Sequence, residues 1–191
     1  SIPARINDTY YVICSILAQK IPINKIILTL SLEEFPNQEK TLPQKLLDLK
    51  KSGLEILWAD KNLKPHNKYF YAMQKYSKAA IITIDDDILY PRKTTKKLIE
   101  SYRKFPKAIS GLCTCKLIVK NNKILPYSQS IPCYDTTILF PRHDLSVEGF
   151  AGALYPPAIL PKEAFNIEAI QKCSPIADDI WLKYMELLSD I

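Results

Sequence analysis

Apolar positions gather into four blocks separated by stretches of helical spacing. The blocks are Lys25-Ile26-Ile27-Leu28-Thr29-Leu30, Leu54-Glu55-Ile56-Leu57-Trp58-Ala59, Ala79-Ala80-Ile81-Ile82-Thr83-Ile84 and residues 108–119. Their β-branched content and near-continuous hydrophobicity predict buried strands of a mainly parallel central sheet. Between them the apolar period becomes helical. Asp8 can cap a helix that carries Tyr11, Cys14, Leu17 and Ala18 inward. Pro43 suits a first helical turn, and Gly53 suits the end of that helix. Phe70, Met73 and Tyr76 mark a third helix. Thr94 or Thr95 begins a fourth, with Leu98, Ile99, Tyr102 and Phe105 inward. Strand and helix in alternation predict an α/β fold with helices flanking the sheet.

Beyond residue 120 the texture changes. Asn121-Asn122-Lys123 reads as a hairpin turn. A Pro-, Tyr- and Ser-rich stretch then runs to Pro161 with little periodicity, which predicts a small β and loop region at the C-terminal side. A last helix begins near Asp178, where Ile180, Tyr184, Leu187 and Leu188 repeat at helical spacing. No internal repeat or low-complexity linker divides the 191 residues. The expectation is one domain, with residues 1–120 as one half and 121–191 as the other. The chain opens on Ser1-Ile2-Pro3 without Met, so a first strand truncated at its N-terminal side is expected.

Charge adds a preference for partners. The 26 Lys and Arg residues outnumber the 20 Asp and Glu residues, giving +6, which favours a phosphate or an acidic surface. Basic and aromatic residues are not interleaved along one element, so a nucleic-acid partner is not expected. No apolar run reaches the roughly 18–20 residues that span a bilayer. The five scattered cysteines, Cys14, Cys113, Cys115, Cys133 and Cys173, predict reduced thiols instead of a disulfide framework.

Three segments carry candidate chemistry. In Ile81-Ile82-Thr83-Ile84-Asp85-Asp86-Asp87, a buried strand runs into three carboxylates. Carboxylates at the C-terminal edge of such a sheet stand where open α/β folds bind ligands. Hard oxygen ligands of this kind suit Mg²⁺ or Mn²⁺ bridging to phosphates. Strand alternation would point Asp85 and Asp87 one way and Asp86 the other. Asp178 and Asp179 start the last helix, where a cap alone accounts for one carboxylate. Gly149-Phe150-Ala151-Gly152 holds two of only four glycines, permitting close backbone approach to a ligand. Arg5 and Lys68 are the basic residues expected nearest a phosphate. His66 and His143 are candidate ligand contacts, although a lone histidine is more often structural.

The Asp triplet resembles the Asp-x-Asp signature of glycosyltransferases with the GT-A fold, and Ala177-Asp178-Asp179-Ile180-Trp181 resembles their later acidic motif. The opening Ser1–Ile6, Ile26–Pro36, the Lys68 helix and Gly149–Pro157 look like a bacterial family 2-like branch serving polysaccharide or lipopolysaccharide assembly. That resemblance implies Mn²⁺ or Mg²⁺ and a nucleotide-diphosphate sugar, with a UDP-sugar favoured. Asp87 would bind the metal, with Asp85 and His143 as further candidates. Arg5, Asp60, Lys68, Asp85, Asp86, Gly149 and Gly152 would line the donor site. Asp179, ahead of Asp178, would be the base for a glycan or lipid-linked acceptor hydroxyl, with inversion. The resemblance further implies a cytoplasmic location, compatible with peripheral contact at the inner face of the plasma membrane.

Two other readings start from the same residues. One is a GT-A-like binding module without activity. The other is a haloacid-dehalogenase-type phosphatase, which also begins from a strand into Asp-x-Asp. No Gly-x-x-x-x-Gly-Lys-[Ser/Thr] segment supports a P-loop enzyme.

Overall fold

A computed structural model describes residues 1–133 and 140–190; the middle of the Pro-, Tyr- and Ser-rich stretch, 134–139, lies outside the described residues. In chain order the elements are α1 (Ile6–Leu17), β1 (Ile26–Ser31), α2 (Gln44–Asp48), β2 (Leu54–Ala59), α3 (Phe70–Lys75), β3 (Ile81–Thr83), α4 (Thr94–Lys104), β4 (Ser110–Gly111), β5 (Thr114–Lys116), β6 (Val119–Lys120), β7 (Lys123–Ile124), β8 (Ile131–Cys133), β9 (Leu145–Val147), β10 (Ala153–Tyr155), α5 (Ile167–Cys173) and α6 (Asp178–Leu188).

The mixed α/β class holds, but the mainly parallel sheet does not. Among the described residues only β1 and β2 pair in parallel, from Ile26 opposite Leu54 to Ser31 opposite Ala59. Pro43 precedes α2 between them, and Gly53, at φ +100°, ends the turn that feeds β2. Strands β3 and β4 run the same way because both are antiparallel to β10, which lies between them. The β3–α4–β4 crossover thus leaves a gap one strand wide, and the distant Ala153-Leu154-Tyr155 fills it. All three of those residues are buried, the mark of a central strand.

The long apolar block at 108–119 is broken into β4, β5 and β6. Strand β5 pairs antiparallel with both β8 and β9. Strands β6 and β7 form the expected hairpin, with Asn121 and Asn122 both at positive φ.

Two apolar clusters result. One packs Val12, Ile13 and Ile16 of α1, together with Leu46 of α2, onto Leu28, Leu30 and Leu54 of the parallel pair. The other joins Tyr69 and Phe70 to Tyr155, Ile170, Trp181 and Leu182. The inward face of α1 differs from the expected one. Ile6, Thr9, Val12, Ile13 and Ile16 are buried, whereas Tyr11 and Leu17 are exposed. Both sets have helical spacing, so periodicity alone could not choose. Tyr11 serves instead as a platform for the Lys45 ammonium, 4.6 Å from its ring centre. Asp8 lies in the first turn, but no side-chain bond caps α1. In α6 the Ile180–Tyr184–Leu188 repeat faces outward, and Trp181, Leu182 and Met185 face the core. No helix among the described residues is long and apolar enough to cross a membrane.

Candidate functional site

A cleft of about 480 Å³ opens beside the first of the two apolar clusters. Its deeper part is apolar and runs between β1 and β3, past Ile26, Leu28, Ile82, Val12 and Ile13. Its mouth is polar and holds Arg5, Glu34, Asn62, Asn67, Lys68, Asp85, Asp86, Asp87, Asp178 and Asp179. Charged ligand groups belong at this mouth.

Strand β3 stops at Thr83, so the Asp triplet stands in a turn and the two-residue alternation does not extend to it. Asp85 goes one way: its Oδ1 lies 2.6 Å from Lys68 Nζ. Asp86 and Asp87 go together to Arg5, at 3.1 Å and 2.8 Å. The expected pairing of Asp85 with Asp87, and Asp86 pointing away, is therefore corrected. Tyr90 pins the turn. Its hydroxyl accepts from the Asp85 N–H at 2.8 Å and donates to the Phe150 carbonyl at 2.7 Å. Burial, with the Asp85 charge nearby, pushes that phenol up to about 12. Tyr90 sits inside the triplet motif, five residues after Asp85, yet only the fold reveals it as the link to the glycine segment.

Lys68 closes a 3₁₀ turn, Lys64–Lys68, just ahead of α3. Its ammonium also lies 3.1 Å from Asp178 Oδ2, joining the two acidic segments. That contact has ion-pair distance without hydrogen-bond geometry, and Asp178 Oδ2, Asp86 Oδ2 and Arg5 Nε are buried without a hydrogen-bond partner. Such atoms are unused hydrogen-bonding capacity. Burial alone would lower the Lys68 ammonium, but Asp178 and Asp85 outweigh it and hold it above its usual range. His66, fully buried in the same turn, braces the far side. Its Nε2–H donates to the Ser174 carbonyl at 2.7 Å, and Nδ1 meets the Tyr69 hydroxyl at 3.1 Å. Burial lowers the imidazole. His66 is a strut between the Lys68 turn and the loop leading into α6, not a ligand contact.

Asp179 accepts the Gly149 N–H at 3.0 Å. Burial first, then the neighbouring Asp178 charge, pushes its carboxyl up to about 6. A helix N-terminus favours the ionised form, so desolvation and like charge win here. A Cβ on Gly149 would stand 2.6 Å from Asp179 Oδ1 and 3.3 Å from Lys68 Nζ. Gly149→Ala is therefore expected to displace the Asp179 carboxylate and cost about 1–3 kcal/mol, read as a lower urea midpoint. An unchanged midpoint would mean that the carboxylate swings away freely and that the glycine is not needed there.

Three expected residues lie elsewhere. Gly152, at φ +102°, packs on Leu98, Thr94 and Ile84 and does not line the cleft; it shapes the entry into β10. Asp60 is exposed at the end of β2, outside the cleft lining. His143 is also exposed and lies 3.7 Å from Asp190, past the far end of α6. No family model matches the chain, and no curated protein matches it.

Proposed function

We propose that the chain is a metal-dependent glycosyltransferase that moves a sugar from a nucleotide-diphosphate donor to a glycan or lipid-linked acceptor hydroxyl. The observation that carries this reading is the meeting of Asp85–Asp87 with Asp178–Asp179 across the single ammonium of Lys68. One acidic segment suits a cation and diphosphate, and the other suits an acceptor proton.

Among the described residues no group of three or more His, Cys, Asp or Glu side chains is arranged to hold a metal ion. A nucleotide-bridging Mg²⁺ or Mn²⁺ needs fewer, because one or two carboxylates suffice when phosphates and water complete the shell. Asp87, with a side chain 45% exposed, fits that role, and Asp85 is the second candidate. When bound, the ion would offset charge on the departing diphosphate. Arg5 and Lys68 add fixed positive charge at the same mouth. Asp179 would take the acceptor hydroxyl proton as that oxygen bonds to the anomeric carbon. The bond from that carbon to the diphosphate oxygen breaks with its electron pair leaving on the diphosphate. Attack from the face opposite the leaving group inverts the centre.

The reading predicts a melting shift with UDP or another nucleoside diphosphate that grows with Mn²⁺. At ligand a hundred times Kd, the gain is roughly 5–10 °C. Asp87→Asn should remove the Mn²⁺-dependent part. No shift with any nucleoside diphosphate would sink the proposal. Turnover of p-nitrophenyl phosphate would transfer support to the phosphatase reading.

A further inference from the structure

Helix α4 and its flanks carry the charge imbalance of the whole chain. Seven of the 26 basic residues and one of the 20 acidic residues fall between 92 and 107. That segment alone accounts for the +6, and the rest of the chain balances. All seven basic residues are exposed, whereas Thr94, Thr95 and Leu98 are buried on the opposite face. Lys93 at the N-cap, Lys97 and Lys104 return to one side of the helix and span about 16 Å. None of these three has an ion-pair partner among the described residues. The acid in the segment, Glu100, is taken by Lys96 at 3.6 Å. Lys104 rests over the Phe105 ring, 5.1 Å from its centre.

Helix stability does not account for this stripe. Cations near a helix N-terminus oppose the macrodipole, and like charges four residues apart repel. Lys93, Lys96 and Lys97 stand at that end, and the first turn holds no acid. The stripe also restricts its partner. Leu98, Ile99, Tyr102 and Phe105 are all at least partly buried, so α4 presents no fully exposed large apolar side chain. A protein interface needs an apolar centre and is depleted in lysine. A bilayer boundary takes up apolar side chains, and single-stranded bases stack on aromatic ones. A hydrated polymer with anions along its length asks for none of these, and one small anion could not meet charges spread over this distance. Six residues separate Asp87, at the cleft mouth, from Lys93. The stripe therefore begins within about 20 Å of that mouth.

We propose that α4 binds an acidic glycan chain along the Lys93–Lys97–Lys104 row. Resting on the transferase reading above, this makes the acceptor a polyanion, held at α4 while its acceptor hydroxyl lies in the cleft.

The test is fluorescence anisotropy of labelled oligogalacturonate, which has a carboxylate on every sugar, with the whole chain. Neutral dextran of the same length and single-stranded DNA of the same charge are the comparisons. The wild type should bind oligogalacturonate more tightly than either, and added salt should weaken the binding. Lys93→Gln with Lys97→Gln and Lys104→Gln should weaken it about ten-fold or more, since an exposed ion pair contributes up to roughly five-fold. Lys40→Gln with Lys78→Gln and Lys172→Gln makes the same charge change at exposed sites elsewhere and should bind like the wild type. The proposal is overturned if oligogalacturonate binds no better than dextran, if the DNA binds more tightly, or if the control loses as much as the α4 variant. Anisotropy needs no donor or metal, and nucleotide melting shifts need no polymer. The glycan surface and the transferase reading can therefore fail separately.

Discussion

Replacing Asp179 with asparagine should nearly abolish sugar transfer while making the protein more stable. In its proposed role of acceptor base, Asp179 should contribute roughly a hundred- to ten-thousand-fold in rate, and asparagine cannot take the proton. The stability effect follows from the same environment. In the fold the carboxyl is raised from 3.8 to about 6 by burial and by Asp178. A raised carboxyl favours folding fully below its ordinary pKa, and that benefit is lost as pH climbs through about 6. At pH 7.5 the wild type therefore carries the cost of a buried negative charge. The displacement corresponds to roughly 3 kcal/mol, which partial exposure reduces to about 1–2. The asparagine side chain removes the charge and can still accept the Gly149 N–H. Urea denaturation across pH is the measurement. The variant should exceed the wild type at pH 7.5 and converge with it below about pH 4. The wild-type rate should rise with pH through about 6. A variant that transfers at the wild-type rate ends the base assignment, and one equally stable at every pH contradicts the strained carboxylate.

What the chain revealed in advance divides by range. Strands β1 and β2 were legible because both are short, continuous apolar runs with turn signals at their ends, and Gly53 closes the turn where a positive φ is required. The Asn121-Asn122 hairpin was legible for the same local reason. The sheet order was not. Nothing near Ala153-Leu154-Tyr155 says that it enters between β3 and β4, since that depends on a gap created by a crossover far earlier in the chain. The faces of α1 and α6 were missed because each helix carries two apolar stripes, and only tertiary contact decides which is covered. In the site, residue types foretold the Asp triplet, the late Asp pair, Arg5, Lys68 and Gly149. Pairing within the site was illegible. Strand alternation ends with β3 at Thr83, and the reach of Lys68 to both Asp85 and Asp178 is a contact between distant parts of the chain. Asp60 rests on the resemblance alone and His143 on residue type, and the fold puts both outside the cleft.

Lys68 should prove the most costly side chain in the site to remove. Its side chain is 16% exposed, and its ammonium lies between Asp85 and Asp178, whose side chains are 28% and 11% exposed. Lys68→Met keeps most of the volume and the apolar stem but leaves two half-buried carboxylates facing each other, with Asp179 close by. Breaking one partner out of a buried pair costs about 3–5 kcal/mol; partial solvent access here makes about 2–4 the better expectation. For a chain of this length that lowers the melting temperature by roughly 5–15 °C. The cause can be separated from lost packing by a second change. Adding Asp178→Asn to Lys68→Met removes one of the stranded charges and should restore at least half of the loss, a coupling that a double-mutant cycle reads directly. A cation supplied from solution should act in the same direction, so Mn²⁺ should raise the melting temperature of Lys68→Met more than that of the wild type. If Lys68→Met melts with the wild type, or if Asp178→Asn adds a further loss, the ammonium is not what holds the two acidic segments together. The meeting of those segments would then rest on the His66 strut and the α6 packing alone.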